Sequence, residues 1–175
     1  MEKETLKNIF NFIEKNEGHK TPFMWKLKNE IPLTEEELNV KGNLDLERSK
    51  ITSLPEGLYV KGNLDLSNSK ITSLPKGLKV GGKLLLIATP ITSLPEGLKV
   101  DGVLCCYLAE ELESLPKGVK IGNQLDIRRT KITLLPRGLE VGGILRIGNT
   151  ELEKYTDDEL QEMVKPGFIE GEILR

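Results

Sequence analysis

A chain of 175 residues with 38% apolar content can bury one sizeable core and has little left over for a second domain. A net charge of −2 is too small to mark a nucleic-acid or membrane-surface binder by field alone, and no run of 18 apolar residues offers a membrane span. The start Met1-Glu2-Lys3-Glu4 lacks the basic stretch and apolar run of a signal peptide, so the expected setting is the cytoplasm.

In chain order, residues 3–16 place Leu6, Ile9, Phe10 and Ile13 at helical spacing with charged residues opposite. Phe23, Met24, Trp25 and Leu27 follow, and residues 1–30 are predicted to form a helical N-terminal cap. His19, the only histidine, falls in a Gly-His-Lys turn inside it and reads as a surface residue with no second imidazole to support a metal or catalytic role.

Over residues 31–154 the chain repeats with a period of 20. Units begin at Ile51, Ile71, Ile91, Leu112, Ile132 and Leu152, after a degenerate first coil near Ile31 and with one extra residue around Glu110-Glu111. In the unit starting at Ile71, Leu84 and Leu86 alternate with outward positions, as a short strand packing one face on a core must. Leu78 and Val80 alternate in the same way, and Ile71 with Leu74 supplies a third inward side. Leu-Pro-x-Gly marks one corner, because Pro75 cannot donate a backbone hydrogen bond and Gly77 tolerates positive φ; Gly82 marks another. No single coil buries enough area to offset its own ordering, so the units must stack into a solenoid of about six coils of mostly short parallel strands, and its open ends need caps. Thr156-Asp157-Asp158-Glu159 reads as a capping box opening a helix that presents Leu160, Met163 and Val164. Residues 155–175 are therefore the C-terminal cap, with 168–174 alternating as a short final strand. The three segments are expected to fold as one cooperative domain.

The stretch from Leu64 to Pro75, L-x-L-x-x-S-x-I-x-x-L-P, resembles the short leucine-rich repeats of bacterial effector proteins. The resemblance covers residues 31–154. It departs where that family carries Asn and this chain has Ser49, Ser69, Thr89, Thr130 and Thr150, which implies a hydroxyl ladder between successive turns in place of an Asn ladder. The resemblance implies a leucine-rich-repeat-like fold and protein binding through the stacked sheet; the ubiquitin-ligase domain attached to some members has no counterpart here. Gly-rich arrays of this kind also look like proteins of gut bacteria and their phages, which implies an effector or inhibitor working in the host cytoplasm if phage-encoded.

Function falls to positions the scaffold does not need. Between and beside the inward leucines, coils three and four place Leu85, Ile87, Val103, Cys105 and Tyr107 outward, with Arg128 and Arg146 on one side and Asp45 and Asp65 on the other. An apolar centre with an aromatic and a charged rim is the make-up of a protein contact. The alternative is that the extra residue at Glu110-Glu111 slips the register and buries these side chains. The expected partner is another protein or a second copy of the chain, with no nucleic acid or membrane. Adjacent Cys105 and Cys106 suit neither a disulfide with each other nor a zinc site. Nothing nominates a nucleophile with a base or a cofactor loop, so the chain reads as a non-enzyme without cofactor.

Overall fold

A period of 20 residues closes one turn when three short apolar-alternating segments are joined at glycine and proline corners. In the computed structural model, which describes residues 23–29 and 31–175, the repeats wind into a β-solenoid. Each coil contributes two short parallel strands, and successive coils stack them into two seven-stranded sheets. The first sheet holds β1 (Asn39–Val40), β3 (Tyr59–Val60), β5 (Lys79–Val80), β7 (Lys99–Val100), β9 (Lys120–Ile121), β11 (Glu140–Val141) and β13 (Phe168–Ile169). The second holds β2 (Leu44–Asp45), β4 (Leu64–Asp65), β6 (Leu84–Leu85), β8 (Leu104–Cys105), β10 (Leu125–Asp126), β12 (Leu145–Arg146) and β14 (Ile173–Leu174). These pairs define coils one to seven.

The alternating apolar positions meet inside. Leu64, Leu84, Leu104 and Leu125 are in register and fully buried, as are Leu66, Leu86, Cys106 and Ile127. The first sheet adds Val60, Val80, Val100 and Ile121, and the third side adds Ile71, Ile91, Leu112 and Ile132, so one apolar cluster runs from Leu27 to Ile173. The corner glycine of Leu-Pro-x-Gly is required by conformation, with φ of 73° at Gly77. The next corner is required by space: a Cβ on Gly102 would stand 2.7 Å from the Gly82 carbonyl oxygen.

After each of the second-sheet strands β2 to β12 the chain turns through a left-handed residue that is not glycine. These are Arg48, Asn68, Ala88, Leu108, Arg129 and Asn149, with φ between 52° and 60°. Each position costs about 1–2 kcal/mol for an ordinary side chain. The turn is held because the same residue extends the ladder, as Asn68 N–H donating to Ile87 O (2.8 Å) and Leu108 N–H to Arg128 O (3.2 Å) show. The hydroxyls expected to link successive turns act within their own coil instead: Thr89, Thr130 and Thr150 donate to Leu86, Ile127 and Ile147 three residues back. Among the side chains that bond coil to coil are Asn43 and Asn63, whose Oδ1 atoms accept from the Asn63 and Lys83 amides 20 residues on.

At the N-terminal end, helix α1 (Phe23–Lys28) puts Leu27 into the core and packs Phe23 and Met24 against it. Leu6, Ile9, Phe10, Ile13 and His19 lie outside the described residues. At the other end a 3-10 turn (Glu151–Lys154) leads into helix α2 (Asp157–Val164), opened by the expected capping box and burying Leu160 and Val164. The tail supplies a strand to each sheet. Phe168 and Glu170 donate back to Leu139 and Val141, which leaves the N–H and C=O of Ile169 on the open edge. The Gln161 side chain takes both, donating to the carbonyl at 2.6 Å and accepting from the amide at 3.2 Å. One amide side chain thus stands where an eighth strand would. Among the described residues no helix is long and apolar enough to cross a membrane.

Candidate functional site

The second sheet buries Leu44, Leu46 and their equivalents, so the residues between and beside them face outward with no layer over them among the described elements. In register along the middle column stand Asp45, Asp65, Leu85, Cys105, Asp126 and Arg146. Where this position is aspartate it has a local task. Oδ1 accepts from the backbone N–H two residues on: Asp45 from Glu47 (3.0 Å), Asp65 from Ser67 (2.9 Å) and Asp126 from Arg128 (3.2 Å). Coils three and four give up that bond and carry Leu85 and Cys105.

The extra residue at Glu110-Glu111 does not slip the register. It is taken up in a turn in which Leu112 N–H donates to Ala109 O at 3.0 Å, with both glutamates exposed. Leu104 and Cys106 stay inside, so Leu85, Ile87, Val103, Cys105 and Tyr107 are all brought together on the outer face, each half-buried by its neighbours. Burial holds the Cys105 thiol above its ordinary pKa, so it is protonated at neutral pH and unsuited to nucleophilic work.

The two arginines differ. Arg128 is occupied: its Nε and Nη2 donate to Oδ1 (2.9 Å) and Oδ2 (2.7 Å) of buried Asp126, and its guanidinium lies 5.1 Å from the centre of the Tyr107 ring. The Asp126 hydrogen bonds hold its pKa above the ordinary arginine value. Its aliphatic stem passes over Gly148, where a Cβ would come within 3.5 Å of Arg128 Cδ. Arg128 is therefore a brace that fixes one face of Tyr107. Arg146, in register beside Asp126, has no hydrogen bond or ion pair among the described residues and remains the available cation. Asp126 and Gly148 stand in the outward columns that the repeat register assigns them, and the Asp-x-Arg spacing, which puts both side chains on one face of a strand, is the sequence signal for the ion pair.

At the acidic end Asp45 and Asp65 stack in register, each with one oxygen committed to its own turn. Among the described residues no group of three or more His, Cys, Asp or Glu is placed to hold a metal ion.

No family model, curated protein or solved structure matches this chain. Its function has to be argued from the surface itself.

Proposed function

We propose that the chain is a non-enzymatic interaction module that docks another protein on the outer face of the second sheet, centred on Tyr107. The supporting observation is that five apolar side chains lie together on a face where coils one, two and five carry turn-bonding aspartates. A choice serving only the scaffold would repeat aspartate, which satisfies an amide, whereas Leu85 and Cys105 forgo that bond for contact area. Tyr107, braced by Arg128, offers a large ring at little cost in side-chain entropy, and Arg146 supplies a charge at the rim. The resemblance to effector leucine-rich repeats, whose sheets bind proteins, points the same way, and the setting we infer with it is the cytoplasm of a bacterium or of a phage host.

A second reading is a homo-oligomer formed face to face through the same patch. The Gln161 plug makes this the favoured geometry over end-to-end growth of the first sheet. Light scattering on size-exclusion fractions of wild type and Tyr107→Asp separates the two readings. A monomer in both removes self-association; an oligomer that dissociates on substitution supports it. Docking of another protein requires that a partner cross-linked from the native host be lost with Tyr107→Asp while Lys79→Gln, on the other sheet, retains it. Retention by Tyr107→Asp would overturn the reading.

A further inference from the structure

The docking face is graded by charge along the stack. In its middle column Asp45 and Asp65 stand on coils one and two, Leu85 and Cys105 on coils three and four, and Asp126 and Arg146 on coils five and six. The column after the strand repeats the order, with Glu47 on coil one, Ile87 and Tyr107 in the centre and Arg128 on coil five. Asp126 adds no net acid to its end, because Arg128 neutralises it and keeps Nη1 without a hydrogen bond among the described residues. Asp45, Asp65 and Arg146 have no ion pair among the described residues; the first is exposed and the other two are half-buried. The two ends are thus opposite in sign, with the apolar centre midway between them.

Such a face is complementary to itself turned end for end. We infer that a second copy of the chain covers it, with the two-fold axis lying along the strand direction between coils three and four. This pairing rests on the docking reading of the face, in its self-associating form. The rotation reverses the order of the coils and keeps each column opposite itself, so that coil one faces coil six, two faces five and three faces four. Asp45 then meets the partner's Arg146, Asp65 meets the open side of the partner's Arg128, and Leu85 and Ile87 lie against Cys105 and Tyr107. Every contact occurs twice, as an isologous interface requires. A foreign protein docking on the same face has to displace the second copy, so the two occupants compete.

Charge and desolvation select this register over the others. An axis along the stack would put coil one on coil one, so Asp45 would meet Asp45 and Arg146 would meet Arg146, and like charges set opposite each other disfavour the complex. An axis on coil three brings Asp45 over Asp126 and Asp65 over Cys105, and leaves Arg146 beyond the contact. An axis on coil four brings Leu85 and Ile87 down on Asp126 and Arg128, stripping water from the exposed side of that pair. Six coils about 4.8 Å apart, with outward positions spread over roughly 14 Å of strand, give a footprint of about 400 Å² on each copy, at the small end for a specific interface. A dimer held by that area belongs in the micromolar range and yields to a tighter partner.

Sedimentation equilibrium of the full chain at low salt, from about 5 to 200 µM, should show the mass rising from one chain towards two, and rising less as salt is added. Asp45→Arg and Arg146→Asp should each raise Kd by about tenfold, since each change acts at two symmetric contacts and turns attraction into repulsion. Combining both changes in one chain, or mixing the two single variants, should restore association, because position 45 faces position 146 of the other copy. An unaltered circular dichroism spectrum checks that each variant folds. A mass of one chain throughout would overturn the inference. So would tighter association of Asp45→Arg, a mixture that fails to associate, or rescue of Arg146→Asp by Asp65→Arg in place of Asp45→Arg, the mark of an axis on coil four. Docking of a foreign protein is judged apart from this, by the host partner that Tyr107→Asp loses. A monomer that still captures that partner refutes the dimer and leaves the docking reading standing, whereas a dimer with the expected charge exchange and no such partner supports self-pairing alone.

Discussion

Asp126 and Arg128 give the most direct test of how the docking face is held together. The carboxylate is 4% exposed and accepts two guanidinium hydrogen bonds, while the Arg128 side chain is 39% exposed and can turn to water if released. Removing either partner therefore has unequal consequences. Asp126→Asn keeps Oδ1 as acceptor for the Arg128 amide but loses the charge and the Oδ2 acceptor of Nη2, a cost of about 1 kcal/mol because the part-exposed arginine can turn that group to water. Arg128→Ala strands a buried carboxylate, which raises the cost to about 2–3 kcal/mol, below the figure for a fully buried pair because water reaches one side. In the double variant the stranded charge is gone, so the coupling should be about 1–1.5 kcal/mol. Urea unfolding followed by circular dichroism measures all four corners of the cycle, with Arg128→Ala shifting Tm by roughly 5–10 °C. An Arg128→Ala variant that costs less than Asp126→Asn would refute the reasoning, because it would mean that the carboxylate is not confined. The same variant frees the Tyr107 ring, so its ring-flip rate by NMR should rise even at temperatures where the fold is intact.

The glycine corners separate conformational from steric need: Gly77→Ala should cost about 1–2 kcal/mol and be largely relieved in Gly77→Asn, which tolerates left-handed φ. Gly122→Ala and Gly122→Asn should both cost more than about 3 kcal/mol in urea unfolding, since any Cβ there stands 2.1 Å from the Asp101 carbonyl oxygen. At the C-terminal helix, the Thr156 amide and hydroxyl hold the Glu159 carboxyl below its ordinary pKa. A carboxylate depressed by folding stabilises fully above its unfolded pKa and loses that contribution as pH falls through the folded value, so amides of 157–164 should exchange faster below the usual glutamate range; Thr156→Ala should cost about 1 kcal/mol and flatten this dependence. Gln161→Ala should expose the Ile169 amide, seen as faster hydrogen exchange at that residue while Val141 and Ile121 stay protected; unchanged exchange at Ile169 would show that the plug closes nothing.

The solenoid could be seen in the sequence because its evidence recurs: inward pairs such as Leu84 with Leu86 and Leu78 with Val80 are repeated in every coil, and both lie in sheets. The capping box at Thr156 and the strand character of the tail were equally visible, since each depends on nearest neighbours in the chain. Features made by coil-on-coil geometry were not. The linking role of Asn43 and Asn63 depends on where the next amide comes to rest, and a left-handed Leu108 carries no residue-type signal at all. The docking patch was legible as a column of outward positions. The pairing of Arg128 with Asp126 was legible too, from two charges of opposite sign two residues apart on one strand face, whereas the stacking of Arg128 on Tyr107 was not, because it depends on how neighbouring coils are set against each other.

Because Gln161 engages only main-chain atoms of Ile169, and each coil touches little beyond its two neighbours, the stopper at this end is indifferent to which coil it closes. Length is thus an adjustable quantity: a duplicated block of 20 residues spliced at a corner would add about 4.8 Å to the stack without redesigning the terminus. A protein built in this way can vary its reach by whole steps during descent while its stop signal is inherited unchanged.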